Sequence, residues 1–249
     1  MSSPGPRRSG AAETGAEGTG VGGTAGTGAA EAAAGGTGAA GAGGAGAAVP
    51  TRERMVAAAW ELLGEGGPDA VTLREVGRRT GLSRTAPYRH FQDKDDLLRA
   101  VAVRAFERLH DRMRDAVDAA DDPAQALRGA CRAYVGFALD QPRHYRMMFG
   151  DWVLAQKHAE GPQSGSLREA ADRLFGLAAT VIQSGQRAGA LRTGDPSDFS
   201  LLTWSFLHGL VTFTLSAHLN ADSGAGEPGG EFREALDRLI DEVVHGLAA

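Results

Sequence analysis

The chain is predicted to be all-α, with a small three-helix head ahead of a larger helical domain. Three features carry this. Residues 72–91 read as two short helices around a glycine turn. From Leu98 to Val117, apolar residues recur at steps of three and four, the mark of an amphipathic helix. Beyond that, Asp122–Pro123, Gln141–Pro142 and Asp195–Pro196 each restart the chain with a proline at the first helical position.

Of the 249 residues, the first 49 are set apart by composition: they hold 16 of the 36 glycines and almost no large apolar side chain. Such a tail cannot bury enough surface to fold, so 1–49 is expected to be disordered. Arg7 and Arg8 lack a following apolar run, which argues against a secretory leader. The remaining 200 residues divide into a head, 50–97, and a body, 98–249. The formal charge of −5 argues against a protein that coats nucleic acid indiscriminately. Residues 72–92, however, carry five arginines against one glutamate, leaving a deficit of −9 for the rest. A local basic patch on an acidic chain suits selective, small-footprint DNA binding. A single cysteine, Cys131, excludes an internal disulfide and suits the reducing cytoplasm.

In the head, 52–65 forms a supporting helix with Met55, Val56, Ala59, Leu62 and Leu63 on one side, stopped by Gly66–Gly67–Pro68. Arg52 and Arg54 at its start either reach a phosphate or belong to a solvated helix end. Thr72 and Glu75 form a capping box that opens the second helix. Gly81 supplies the turn, Leu82 plugs it, and Ser83 is expected to cap a third helix running to about Phe91. Pro87 and Phe91 fall on its inner face, with Arg84, Thr85, Tyr88 and Arg89 outside. Pro87 removes one early hydrogen bond, a tolerable loss in so short a helix. A helix, a glycine turn and a helix with a basic outer face make a helix-turn-helix, whose last helix enters a major groove.

TLREVGRRTGLSRTAPYRHFQDKDDLL resembles the DNA-binding signature of the TetR family of bacterial transcriptional regulators, including the YRHF ending and the D-K-x-x-L-L that follows. The likeness spans roughly Thr51 to Ala100. Pro87 departs from it, standing where the family more often has leucine or another apolar residue. The resemblance implies a DNA-binding head on a helical ligand-binding and dimerisation domain. Arg84 and Thr85, near the start of the third helix, are candidates for base reading: arginine pairs bidentately with guanine, and threonine meets a thymine methyl. Tyr88, Arg89, Thr72 and Lys94 are candidates for phosphate contacts. For Lys94 the competing reading is an ordinary surface lysine; for His90, packing at the helix end is favoured.

In the body, Asp93 caps a helix to about Ala119, a rigid lever between domains. Helices follow over 123–139 and from Pro142. Lys157–Ser166 reads as a polar loop, and Ser166 with Glu169 as a capping box opening a helix through Leu174, Leu177, Val181 and Ile182. Phe199–Leu219 contains no Lys, Arg, Asp or Glu. Six of its 21 residues are Ser or Thr and two are His, so a helix buried on two sides is favoured over a membrane span. Asp222–Gly230 reads as a loop. The last helix sets Phe232, Leu236, Leu239, Ile240, Val243, Val244 and Leu247 against a charged face. Two neighbouring helices with this much apolar surface suit a two-fold homodimer interface.

PRHYRMMFG, GALRTGDP and W-x-x-x-H-G (Trp204, His208, Gly209) resemble the ligand-binding domain of a TetR subgroup called WHG, over roughly Asp122 to Leu219. Candidates for an effector pocket are Tyr134, Phe137, Tyr145, Met148, Phe149, Trp152, Phe175, Trp204 and His208. Singly, each of these is more often plain core, and His208 equally fits a satisfied core or interface histidine. No nucleophile elbow, P-loop, HExxH or paired Cys/His spacing is present. No cofactor, metal site or enzymatic activity is expected. The expected function is a homodimeric regulator of double-stranded DNA, a repressor by resemblance, answering to a small apolar effector. The alternative is a helical carrier or enzyme with a vestigial head.

Overall fold

A 25-residue helix, α3 (Lys94–Asp118), is the element on which the others pack. The computed structural model of the chain describes residues 49–150, 152–153, 156, 162–220 and 230–249. The expected tail, apart from Val49, lies outside these residues, as do 157–161 and 222–229 of the two expected loops. The described residues are helical, with a lone bridge between Leu191 and Ala248. Before α3 come α1 (Thr51–Gly66) and α2 (Leu73–Arg79). After it come α4 (Pro123–Asp140), α5 (Pro142–Phe149), α6 (Pro162–Arg187), α7 (Pro196–Asn220) and α8 (Gly230–Gly246).

The caps read from sequence are in place. Thr72 Oγ1 accepts from Glu75 N at 3.1 Å, Asp93 Oδ1 from Asp96 N at 2.8 Å, and Asp122 Oδ1 from Gln125 N at 2.8 Å. Gly67 and Gly81 turn the chain at φ 73° and 69°. α3 runs without a break across the expected boundary at 97/98. Leu97, Val101, Ala105, Phe106 and Leu109, all fully buried, join head and body in one core. α4 and α6 pack along α3, α7 lies against α6 and α4, and α8 against α4. The α8–α4 contact includes ion pairs from Arg128 Nε to Asp241 at 2.7 Å and from Arg132 Nε to Asp237 at 2.9 Å.

Three expectations are corrected. The third helix of the head is absent as a regular helix: the described residues there form a single 3-10 turn, Pro87–Arg89. Pro87 has no N–H to return to the Ser83 carbonyl, which instead accepts from Ala86 N at 3.1 Å, so closure is by i→i+3 bonds. Ser83 therefore caps no helix. Second, α6 already runs from Pro162, so Ser166 lies inside it and the Ser166–Glu169 capping box does not exist. Third, α7 starts at Pro196 and is buried on one side rather than two. Ser200, Thr203, Leu207, Val211, Thr214 and Leu215 face inward, whereas Leu201, Leu202 and Phe213 are 60%, 54% and 76% exposed. By length and composition Pro196–Ser216 could cross a membrane, and only a third of it is buried, which leaves an apolar outer face exposed.

Candidate nucleic-acid interface and effector site

The head's reading surface is built around Pro87. Its ring is buried against Gly77, where a Cβ would stand 3.1 Å from Pro87 Cγ, so α2 and the 3-10 turn touch through ring and bare backbone. Phe91, 1% exposed, anchors the end of the turn. With these two inside, Arg84, Thr85, Tyr88 and Arg89 stand in solvent, as expected from their spacing. Among the described residues Arg84, Arg89 and Arg74 make no ion pair, and a surface groove runs along Thr72, Arg74, Arg78 and Arg84. Arg78 is held by Glu75 at 2.6 Å, and Arg79 is paired with Glu65. Arg78 and Arg79 in turn hold the Glu75 carboxyl down at about 2.

Charge in the head is thus half committed. Lys94 stands 3.8 Å from Asp69, a loose exposed pair. Arg54 donates to the Thr80 carbonyl at 2.8 Å, and Arg52 lies 5.1 Å over the Phe91 ring, so both brace the head from α1. His90 is exposed rather than packed at the helix end, because the turn is too short to carry it back over the core. Thr72 spends its oxygen on capping while its residue stays exposed.

In the body, six of the nine pocket candidates come together from four helices. Tyr134 (α4) and Tyr145 (α5) hydroxyls lie 2.8 Å apart, and Tyr145 Oη is 2.7 Å from His208 Nδ1 (α7). Phe149 packs 4.9 Å from the Tyr145 ring and 5.1 Å from His208. Trp204 stacks on His208 at 5.0 Å, one turn away on α7, and meets Phe175 of α6 edge-on at 5.4 Å. Burial pushes both tyrosine hydroxyls up and His208 down, so all three are neutral near pH 7. Beside them lies a cavity of about 40 Å³ between α3, α4, α6 and α7, reached by Tyr134, Phe175 and Trp204.

The other candidates lie apart. Phe137 and Met148 are buried core residues outside the lining of this cavity, and Trp152 borders a separate cleft with Lys94, Arg143 and Met147. Sequence reasoning missed Met113, Leu127, Cys131 and Thr203, which line the cavity. The stripe of α3 contained Met113, but no periodicity says which stripe residue faces a cavity.

Comparison with known proteins agrees with this architecture. Residues 55–101 match the model of bacterial regulatory proteins of the tetR family, and residues 127–243 match the tetracyclin repressor-like C-terminal domain. The latter match does not single out the WHG subgroup. The chain is 28% identical over 126 residues to the HTH-type transcriptional activator FasR of Mycolicibacterium smegmatis, covering 51% of this chain and 58% of FasR. The chain thus spans less than two thirds of that relative. A solved structure of a protein of unknown function from Rhodococcus sp. RHA1 superposes with a TM-score of 0.66 at 28% identity, over 83% of this chain and all of that one. The TetR family transcriptional regulator PfmR from Thermus thermophilus superposes with a TM-score of 0.57 at 19% identity, over 77% and 97% of the two chains, and so shares the fold. On the head, the helical body and these matches together, the chain belongs to the TetR family of DNA-binding transcriptional regulators.

Proposed function

We propose that the protein is a ligand-responsive repressor that binds a palindromic operator as a homodimer and is released by a small, mostly apolar effector. The observation that carries this is the pairing of two open surfaces on one chain. One is the solvent-facing set Arg74, Arg84, Thr85, Tyr88 and Arg89 on the head. The other is the uncovered apolar face of α7. On that face Leu202, Phe206, Gly209 and Phe213 recur at helical spacing, and Gly209 has nothing within 4 Å of where a Cβ would stand. A second copy of the same face fits there, helix backbone against helix backbone at the glycine. Two heads carried by such a pair would address successive major grooves about 34 Å apart or a near multiple.

Release works by differential binding: the effector favours a conformation whose heads are wrongly spaced. α3 is the expected lever, and α5 offers a shorter path. Arg143 donates to the Gly64 and Glu65 carbonyls at the end of α1, and His144 Nε2 donates to the Trp60 carbonyl at 3.0 Å while stacking on that indole at 3.7 Å. The next residue, Tyr145, belongs to the hydroxyl chain. A shift of α5 by the effector therefore pulls directly on the head. Electrophoretic mobility shift on duplexes selected from a random pool tests the reading; a purified chain that stays monomeric and selects no duplex, even at low salt, defeats it. FasR is named an activator, which favours testing the sign separately, by reporter expression from the selected site with and without the protein.

A further inference from the structure

Resting on the effector site just proposed, we infer that its ligand is an uncharged, largely apolar molecule with one hydrogen-bond acceptor, which takes the indole N–H of Trp204. Trp204 Nε1 is buried and makes no hydrogen bond. A buried N–H left unmade is costly, and native folds seldom keep one without a use. The acceptor beside it is the Tyr134 hydroxyl. That oxygen feels the indole, but the pair does not reach hydrogen-bond geometry, and the hydroxyl already faces Tyr145 at 2.8 Å. Trp204 is itself fixed in place, stacked on His208 and edge-on to Phe175, so its N–H points in a set direction rather than searching for water.

The rest of the lining decides the ligand's character. The twelve residues around the cavity include no Asp, Glu, Lys, Arg or His. Thr203 Oγ1 is committed to the Phe199 carbonyl at 2.8 Å, and the Cys131 thiol is held protonated by burial, at about 12. Arg128 and Arg132, the cations whose field reaches Cys131, are engaged by Asp237 and Asp241. A carboxylate, phosphate or ammonium entering here would lose its hydration without gaining a counter-charge. An apolar body is favoured by Met113, Leu127, Leu174 and Leu207. The cavity of about 40 Å³ is smaller than such a molecule, so its walls must give way on binding. In this reading Trp204 and His208 of W-x-x-x-H-G divide the work: His208 orders the hydroxyl chain and Trp204 reads the ligand.

Three probes of equal chain length separate the classes: 2-nonanone, nonane and nonanoate, titrated into the full chain. The expected result is a downfield shift of the Trp204 indole N–H proton resonance with the ketone and none with the alkane, with the ketone bound about tenfold tighter than nonane, the worth of one hydrogen bond. Trp204→Phe should bind ketone and alkane alike. The shift in the unaltered protein stands even if that variant fails to fold. Tightest binding by nonanoate, an unmoved indole resonance, or a Trp204→Phe variant that keeps the preference would each overturn the inference, as would no binding of any probe. DNA selection is scored without probes, so a chain that ignores DNA but shows the ketone shift overturns the regulator reading and leaves this one standing.

Discussion

Arg78 and Arg79 face acids while Arg74, Arg84 and Arg89 face solvent, and this division decides what each substitution should do. Arg84→Ala should weaken specific binding by about 1–3 kcal/mol, read by titrating the selected duplex against a scrambled one. Arg78→Ala, which leaves Glu75 with Arg79 alone, should leave the salt dependence of binding unchanged. A second titration concerns His144. It is 1% exposed, and burial lowers its pKa from 6.5 to about 4. Between those values the unfolded chain takes up a proton that the folded chain refuses. Stability is therefore full above pH 6.5 and declines as pH falls toward 4, with His208 shifted in the same direction. Melting curves at pH 7.5 and 5.0 should show this fall, and His144→Phe should make it shallower. Individual roles were unevenly legible in the sequence. Spacing sufficed to put Arg84 and Tyr88 outside and Pro87 and Phe91 inside. It could not show that Glu65, fourteen residues away, neutralises Arg79, nor that His144 belongs to the head's seam, since both depend on contacts between distant segments.

Element by element, caps were the most legible feature, because a cap is written within four residues: Thr72, Asp93 and Asp122 all hold the helices expected of them. Ser166 misled for a related reason. A Ser-x-x-Glu pattern is as compatible with the inside of a helix as with its start, and the chain upstream from Pro162 continues the same helix. The reading turn was misjudged through Pro87. Its ring fills the notch above Gly77, so what it costs in backbone bonding is offset by packing. Gly77→Ala tests this contact. Overpacking it should cost about 1–3 kcal/mol, less the roughly 1 kcal/mol that alanine returns in helix propensity, and urea unfolding measures the net loss. A rise in stability would mean that the ring moves aside freely.

For the whole molecule, the all-α architecture and the contrast between the basic segment 72–92 and the acidic remainder were readable from composition and period alone. The extent of burial along α7 was not, because an unbroken apolar run looks the same whether a helix is covered by its own chain or by another. Replacing Leu202 and Phe213 together by glutamate should leave the monomer folded and prevent assembly, checked by native mass spectrometry and circular dichroism. Arg74, Arg84 and Arg89, with Lys94 once it leaves its loose pair with Asp69, give four cations per head, so a pair of heads should show a slope of log affinity against log salt of about −7. A slope of about −11 would mean that Arg78 and Arg79 also abandon their acids on DNA.

α4 has neighbours on two sides. Tyr134 and Cys131 border the cavity, while Arg128 and Arg132 grip Asp241 and Asp237 of the last helix. Whatever displaces α4 from within therefore strains the ionic latch on α8, and α4 also packs against α7, whose outer face is the proposed seam for a second protomer. The first molecule to enter one protomer would alter the terms for the next. The dose–response curve of an assembled pair should then depart from a simple hyperbola, with the latch arginines setting how far.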